Sequence, residues 1–385
     1  MNTMKTLSLA FVVLCLPALA VHGDEPRASG PIAEVLEPYV KRGVLAGAVT
    51  LVADKDKVLD VEAVGFADIA ARRMMLIDFL FWIASESKPI TAAALMTLVD
   101  EGKLKLDDPV EKFVPEFRDV WVAVEKDKEH VLLKRPERKI TVRDILSHTS
   151  GLPFRSAMEE PTLDQLTLKV AVGSYALTPL MSQPGARYAY SNAGINTAGR
   201  IIEVVSGMPY EDFLQKRLFD PLGMKDTTFW PNEAQLKRLA KAYRPGKGGL
   251  EELKVTQLRY PLSDRTRQPM PAGGLFSTAA DMARFGQMVL NDGTFDGKRF
   301  LSEASVREMT KRQTPAAVKE SYGLGWAVGG DGFGHGGAYA TNLWIDRKRG
   351  LVTVYMVQHA GFPGDGGQAQ AAFRKVAEAE FGKKK

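Results

Sequence analysis

Phe81-Trp82-Ile83-Ala84-Ser85-Glu86-Ser87-Lys88 leads directly into Pro89-Ile90-Thr91-Ala92-Ala93-Ala94-Leu95-Met96-Thr97-Leu98-Val99-Asp100. The second half is alanine-rich and apolar almost all round, which predicts a buried helix from about Pro89 to Asp100. Ser85 then sits at a helix N-terminus, where unpaired backbone N–H groups and the positive end of the helix dipole favour negative charge. An attacking alkoxide and the oxyanion that follows both need such a place. Lys88, three residues on, falls on the same helical face one turn away. A lysine held there out of water has its ammonium form disfavoured, so a neutral amine can take the serine proton. A capping serine beside a surface lysine is the ordinary alternative. Against it, this is the only Ser-x-x-Lys spacing in the chain, and a lysine at the buried start of such a helix needs a reason.

Two further stretches carry chemistry. Tyr190-Ser191-Asn192 follows Pro184-Gly185, precedes a helix beginning near Ala193, and is the only Tyr-x-Asn among the 10 tyrosines. A phenol next to a lysine can be driven toward phenolate and carry a proton between nucleophile and leaving group, while Asn192 can donate to a substrate carbonyl. Gly334-His335-Gly336-Gly337-Ala338 leads into a strand near the C-terminus. Its glycines let a substrate approach the backbone closely, and the N–H of Ala338 can join that of Ser85 as an oxyanion hole. Taken singly, a capped helix with a packed tyrosine and a glycine-rich hairpin turn account for these residues equally well. Their weight lies in the combination.

Along the chain, a helix is expected from about Pro31 to Arg42. Alternation from Gly47 to Gly65 around Asp54-Lys55-Asp56 reads as a hairpin. Between Leu104 and roughly Leu301 the segments are mostly helical, such as Ala193 to Ser206 and Thr278 to Leu290. Strand signals return at Tyr322 to Val328, Ala338 to Asp346 and Leu351 to Gln358, with a closing helix from about Gly367 to Phe381. The expectation is an α+β unit whose two chain ends build one antiparallel sheet flanked by helices, with a mainly helical region inserted at about 104–301.

Composition narrows the classes. The 385 residues are 45% hydrophobic, enough for a full core, and the net charge of +5 comes from 51 basic and 46 acidic residues spread along the chain. No basic stripe points to nucleic acid, and the tail Lys383-Lys384-Lys385 reads as a solvated chain end. At the other end, Lys5, an apolar run from Leu7 to Leu16 and Ala18-Leu19-Ala20 read as a secretory signal peptide over residues 1–23, which implies export to a periplasmic or extracellular space. Cleavage there removes Cys15, the only cysteine, and with it any disulfide or cysteine nucleophile. No later segment reaches about 18 uninterrupted apolar residues, so no membrane span is expected in the mature chain.

Taken in order, Ser85-Glu86-Ser87-Lys88, Tyr190-Ser191-Asn192 and His335-Gly336-Gly337 resemble the three signature motifs of the serine β-lactamase and penicillin-binding-protein superfamily. The likeness is closest to class C β-lactamases and family VIII carboxylesterases. Accessory stretches carry it further: Leu146-Ser147-His148-Thr149-Ser150-Gly151-Leu152-Pro153, Pro221-Leu222-Gly223-Met224, Ala272-Gly273-Gly274-Leu275-Phe276-Ser277-Thr278 and Tyr322-Gly323-Leu324-Gly325-Trp326. The resemblance implies a β-lactamase/transpeptidase-like fold over residues 24–385 and a small-molecule ester or amide substrate. It implies that Ser85 is acylated, that Lys88 and Tyr190 share the base and acid roles, and that Asn192 orients substrate. It implies no metal and no cofactor. Either Lys88 or Tyr190 serves as base in acylation, since the two would titrate as a coupled pair.

One departure stands out. Where β-lactamases and cell-wall carboxypeptidases typically have Lys-Thr-Gly, this chain has His335-Gly336-Gly337, so the cation and hydroxyl that grip a substrate carboxylate are missing. A neutral histidine suits esters better than anionic substrates. A carboxylesterase is therefore the expected activity, with a β-lactamase or a D-alanyl-D-alanine carboxypeptidase as the enzymatic alternatives and a non-catalytic binding module of the same fold as the alternative of another class. His148 invites a Ser-His-Asp reading, but its Thr-Ser-Gly-Leu-Pro turn marks it as structural. There is no Gly-x-Ser-x-Gly for an α/β-hydrolase and no His-Glu-x-x-His for a zinc peptidase.

Overall fold

In the computed structural model, residues 30–383 are described. The signal peptide read at residues 1–23, with Cys15, lies outside the described residues, as do Lys384 and Lys385. Seven strands form the main sheet: β1 (Gly47–Ala53), β2 (Val58–Asp68), β3 (Arg73–Met74), β4 (Ala327–Gly329), β5 (Gly332–Gly336), β6 (Asn342–Asp346) and β7 (Leu351–Met356). Their order is β4-β5-β6-β7-β1-β2-β3, and every neighbouring pair is antiparallel. The last strand thus lies beside the first, with Val49 opposite Met356 and Ala53 opposite Val352. The two chain ends build one sheet.

Five longer helices cover it: α1 (Pro31–Lys41), α2 (Ser87–Asp100), α3 (Asn192–Ser206), α4 (Ala279–Leu290) and α5 (Ala369–Phe381). Ala48 and Val52 of β1 with Leu351 and Tyr355 of β7 face α1 and α5, meeting Ile32, Leu36, Phe373 and Ala377. The alternate residues Val49, Leu51, Val352 and Val354 face the larger core that holds α2, α3 and α4. Both strands are buried throughout their length, as strands covered on two faces must be. Gly286 lets α4 come close to the sheet, since a Cβ there would lie 2.5 Å from Val352 Cγ1. The first N–H groups of α1 are orphan donors. Glu62 of β2 takes two of them, accepting from Ile32 N at 3.2 Å and Ala33 N at 2.6 Å.

Three expectations need correction. The last part of the chain holds four strands rather than three. Tyr322 to Val328 is mostly a tight turn in which Gly323 N–H donates to the Trp326 carbonyl, and only Ala327–Gly329 joins the ladder. The glycine-rich motif does not lead into a strand; His335 and Gly336 end β5, and Gly337–Thr341 turn the chain into β6, which begins at Asn342 rather than Ala338. β5 escaped notice because Gly332, Gly334 and Gly336 carry no β-branched signal. The ladder demands the first two, since a Cβ on Gly332 would lie 2.3 Å from the Ile345 carbonyl oxygen and one on Gly334 2.2 Å from that of Leu343. Between Leu104 and Leu301 there are also three short hairpins, Val122–Lys126 with Val131–Lys134, Ala242–Gly246 with Gly249–Leu253, and Thr294–Phe295 with Lys298–Arg299. Phe276–Ser277 pairs with Phe81–Trp82, just ahead of α2.

Candidate active site

The helix α2 begins two residues after Ser85. Ala84–Glu86 form a 3₁₀ turn whose Ala84 has a left-handed φ of 45°, and the α-helix takes over at Ser87. This turn presents Ser85, half-buried, to a cavity of about 260 Å³. Lys88 is fully buried on the same face, with Nζ 3.1 Å from Ser85 Oγ. Its other partner is the carbonyl oxygen of Ala272 at 2.7 Å. Burial holds the amine well below the ordinary lysine pKa of 10.5. The helix is anchored against the segment supplying that carbonyl by Thr91 Oγ1, which donates to the Pro271 carbonyl at 2.8 Å. Trp82 Nε1 donates to the Gly273 carbonyl at 2.8 Å on the other side of Ser85.

Tyr190 arrives from the far side, at the start of α3. Its phenol is in polar contact with the Ser85 side chain, outside hydrogen-bond geometry, and Lys88 Nζ stands 4.7 Å from the centre of its ring. The hydroxyl, the amine and the phenol, separated widely in the chain, are therefore in mutual reach. Burial pushes the Tyr190 pKa up, with the polar contact to Ser85 offsetting part of that. The expectation of a phenolate is thus corrected: the neighbouring amine itself sheds its charge, so there is no persistent cation to stabilise one. Ser191 caps α3, its Oγ accepting from Gly194 N–H at 3.0 Å, which is the ordinary structural reading of that residue. Asn192 is buried, lines the cavity, and its Oδ1 has no hydrogen-bond partner.

Gly336, Gly337 and Ala338 form the opposite wall. Among the described residues the Ala338 N–H donates to no backbone carbonyl, and the Ser85 N–H, in the first turn of its helix, has no intrahelical acceptor. Gly337 packs tightly here, since a Cβ would lie 2.2 Å from Thr341 Oγ1 and 2.6 Å from the Ile83 carbonyl oxygen. His335 lies behind this wall, with Nε2 3.0 Å from the Tyr322 hydroxyl. Burial lowers its pKa to about 3, so the imidazole is neutral.

Several contributors carried no signal in the sequence. The Ala272 carbonyl is a backbone atom, so no side chain announces it. Trp82, Phe154, Gln257 and Met270 complete the cavity wall and come from four separate segments. Glu86 was quoted only as a spacer, yet it is fully buried, neither carboxyl oxygen is hydrogen-bonded, and burial pushes its pKa up to about 8. A polar contact with the Thr341 hydroxyl, outside hydrogen-bond geometry, offsets part of that shift. His148 is no base for Ser85: its Nδ1 accepts from the Ser191 N–H at 3.2 Å and its Nε2 has no partner.

A family profile described as Beta-lactamase matches residues 32–378. Protein Rv1367c of Mycobacterium tuberculosis is 36% identical over 82% of this chain and 86% of its own length. Esterase EstB of Burkholderia gladioli is 28% identical over 90% of this chain and 94% of its own. Among solved structures, EstCE1, described as a hydrolase with promiscuous acyltransferase activity, superposes with a TM-score of 0.75 at 23% identity, covering 90% of this chain and 97% of that one.

Proposed function

We propose, from the premise that this chain belongs to the Beta-lactamase family, whose members are generally serine hydrolases acting on esters or amides, that it is a carboxylesterase for small uncharged esters working through an acyl-enzyme. The observation that carries this reading is a buried amine 3.1 Å from Ser85 Oγ in a cavity whose lining includes no Lys, Arg, Asp or Glu. A substrate carboxylate would find no cation on those walls. Behind the wall, His335 is neutral and adds no cation.

In this reading Lys88 takes the Ser85 proton as Oγ bonds to the substrate carbonyl carbon, and the N–H groups of Ser85 and Ala338 receive the oxyanion. Lys88 is the better base of the pair because burial lowers its pKa while it raises that of Tyr190. When the carbonyl re-forms, the bond to the alcohol oxygen breaks, and that oxygen takes a proton relayed from Lys88 through the Tyr190 hydroxyl. Water then attacks the acyl carbon, gives its proton to the same pair, and Ser85 leaves re-protonated. Asn192 orients the substrate carbonyl side. The signal read at residues 1–23 would deliver the enzyme outside the cytoplasm.

The test is a panel of short-chain aryl esters, a cephalosporin and a D-Ala-D-Ala peptide, with labelling by a fluorophosphonate probe. Expected are turnover of the aryl esters above the other two and labelling that disappears in Ser85→Ala, with a rate loss of about 10⁴-fold or more. Faster cephalosporin or peptide cleavage overturns the esterase assignment, and an unlabelled wild type leaves a binding module of the same fold.

A further inference from the structure

We infer that His148 is the positioning residue that holds Tyr190 against Ser85, by clamping the backbone on both sides of the tyrosine; this rests on the reading of Ser85, Lys88 and Tyr190 as the reacting groups. The N–H of Ala189, one residue before Tyr190, donates to the His148 carbonyl at 2.8 Å. The N–H of Ser191, one residue after it, donates to His148 Nδ1 at 3.2 Å. Between the two bonds, the imidazole lies 4.5 Å from the Tyr190 ring, tilted by 49°. One residue therefore fixes the preceding peptide, the following peptide and the ring.

The geometry depends on an unusual backbone. His148 has φ 59°, in the left-handed region, and is fully buried. That conformation turns its carbonyl and its ring toward the same passing segment, and histidine is among the non-glycine residues that adopt it. Holding Nδ1 as an acceptor requires a neutral ring, and burial keeps the His148 pKa well below 6.5. The ring also lies 4.7 Å from that of Tyr322, so it is packed between aromatic neighbours as well as hydrogen-bonded. The rest of the loop is stitched to the same stretch: Gly185 N–H donates to the Thr149 carbonyl at 2.7 Å and Asn192 N–H to the Phe154 carbonyl at 3.0 Å. The segment Leu146-Ser147-His148-Thr149-Ser150-Gly151 thus works on the site at one remove.

Substitutions can separate this role from plain packing. In His148→Asn the Oδ1 atom occupies the place of Nδ1, and asparagine tolerates the left-handed backbone. In His148→Gln the same amide sits one bond too far, and His148→Gly relieves the backbone while leaving only the carbonyl and no side-chain acceptor. Aryl-ester kinetics and hydrogen–deuterium exchange of the peptide spanning residues 187–192 are measured on all three, beside wild type and Ser85→Ala. Expected are kcat falling about 10²-fold with KM little changed in His148→Gln and His148→Gly, faster exchange of the 187–192 peptide in both, and recovery of kcat and protection in His148→Asn. Unchanged kcat and exchange in His148→Gln, or His148→Asn no better than His148→Gly on both readouts, overturns the proposal. If wild type turns over no ester, or Ser85→Ala does so as well as wild type, it is the reading of the reacting groups that fails. The exchange pattern alone then decides whether His148 clamps the loop.

Discussion

Lys88 and Glu86 are two charged residue types buried within one turn of helix, and each is expected to abandon its charge there because neither has an opposite charge at hand. For Lys88 this favours the free amine over the ammonium form. Replacing it by methionine keeps the volume and removes the base; acylation measured by single-turnover aryl-ester kinetics should fall by about 10²–10⁴-fold, with the fold intact by circular dichroism. Glu86 behaves oppositely in sign. Its folded pKa of about 8 lies above its ordinary 4.5, so the folded state binds the proton more tightly than the unfolded chain does. The stability this contributes is fully present below about pH 4.5 and is lost as pH rises through 8. Thermal denaturation should therefore show Glu86→Gln close to wild type at pH 5 and more stable than wild type at pH 9, where the wild-type carboxylate must ionise in the core. Equal melting temperatures at pH 9 would mean that Glu86 is hydrated.

The turn from β5 to β6 does more for the site than any single strand. Gly337 passes so close to the Ile83 carbonyl and Thr341 hydroxyl that any side chain must push the turn away from the 3₁₀ segment carrying Ser85. Gly337→Ala is expected to separate the two oxyanion donors and lower kcat by about 10²-fold or more, with a far smaller effect on melting; kinetics and calorimetry on one sample check both. Elements whose signal lies in apolar side chains at a regular period were legible: α1, α2, α3, α4, α5 and the first hairpin fall where their patterns put them. β5 was illegible because its glycines serve close contact with a neighbour, a demand that periodicity does not encode. The three hairpins inside the helical region are short and mostly unburied, so burial left little alternation in them.

Across the whole molecule the site depends on segments that no local rule joins. Arg267 and Asp164 form a buried ion pair, Nε to Oδ2 at 2.6 Å with 2% and 0% exposure. The guanidinium also donates to the carbonyls of Phe229 and Leu262. Asp164 accepts from Arg259 N–H at 2.9 Å. The pair pins the run that continues through Met270 to Gly273, which supplies the Ala272 carbonyl to Lys88. Asp164→Ala strands a buried guanidinium and should cost about 3–5 kcal/mol in urea denaturation. A loss below about 1 kcal/mol would place the pair in water, where such bridges contribute little.

From the residue order alone came the local geometry: a serine and a lysine one turn apart on an apolar helix, strands at both ends of the chain, and three motifs in an order that resembles one superfamily. These follow from backbone periodicity, which acts over a few residues. Tertiary structure alone decided the depth at which Lys88 lies, the neutral state of its amine and of the Tyr190 phenol, the burial of Glu86, and the clamp that His148 places around Tyr190. Each of these is set by desolvation and by hydrogen bonds between segments tens to hundreds of residues apart, and desolvation belongs to the assembled neighbourhood of a group rather than to its place in the chain.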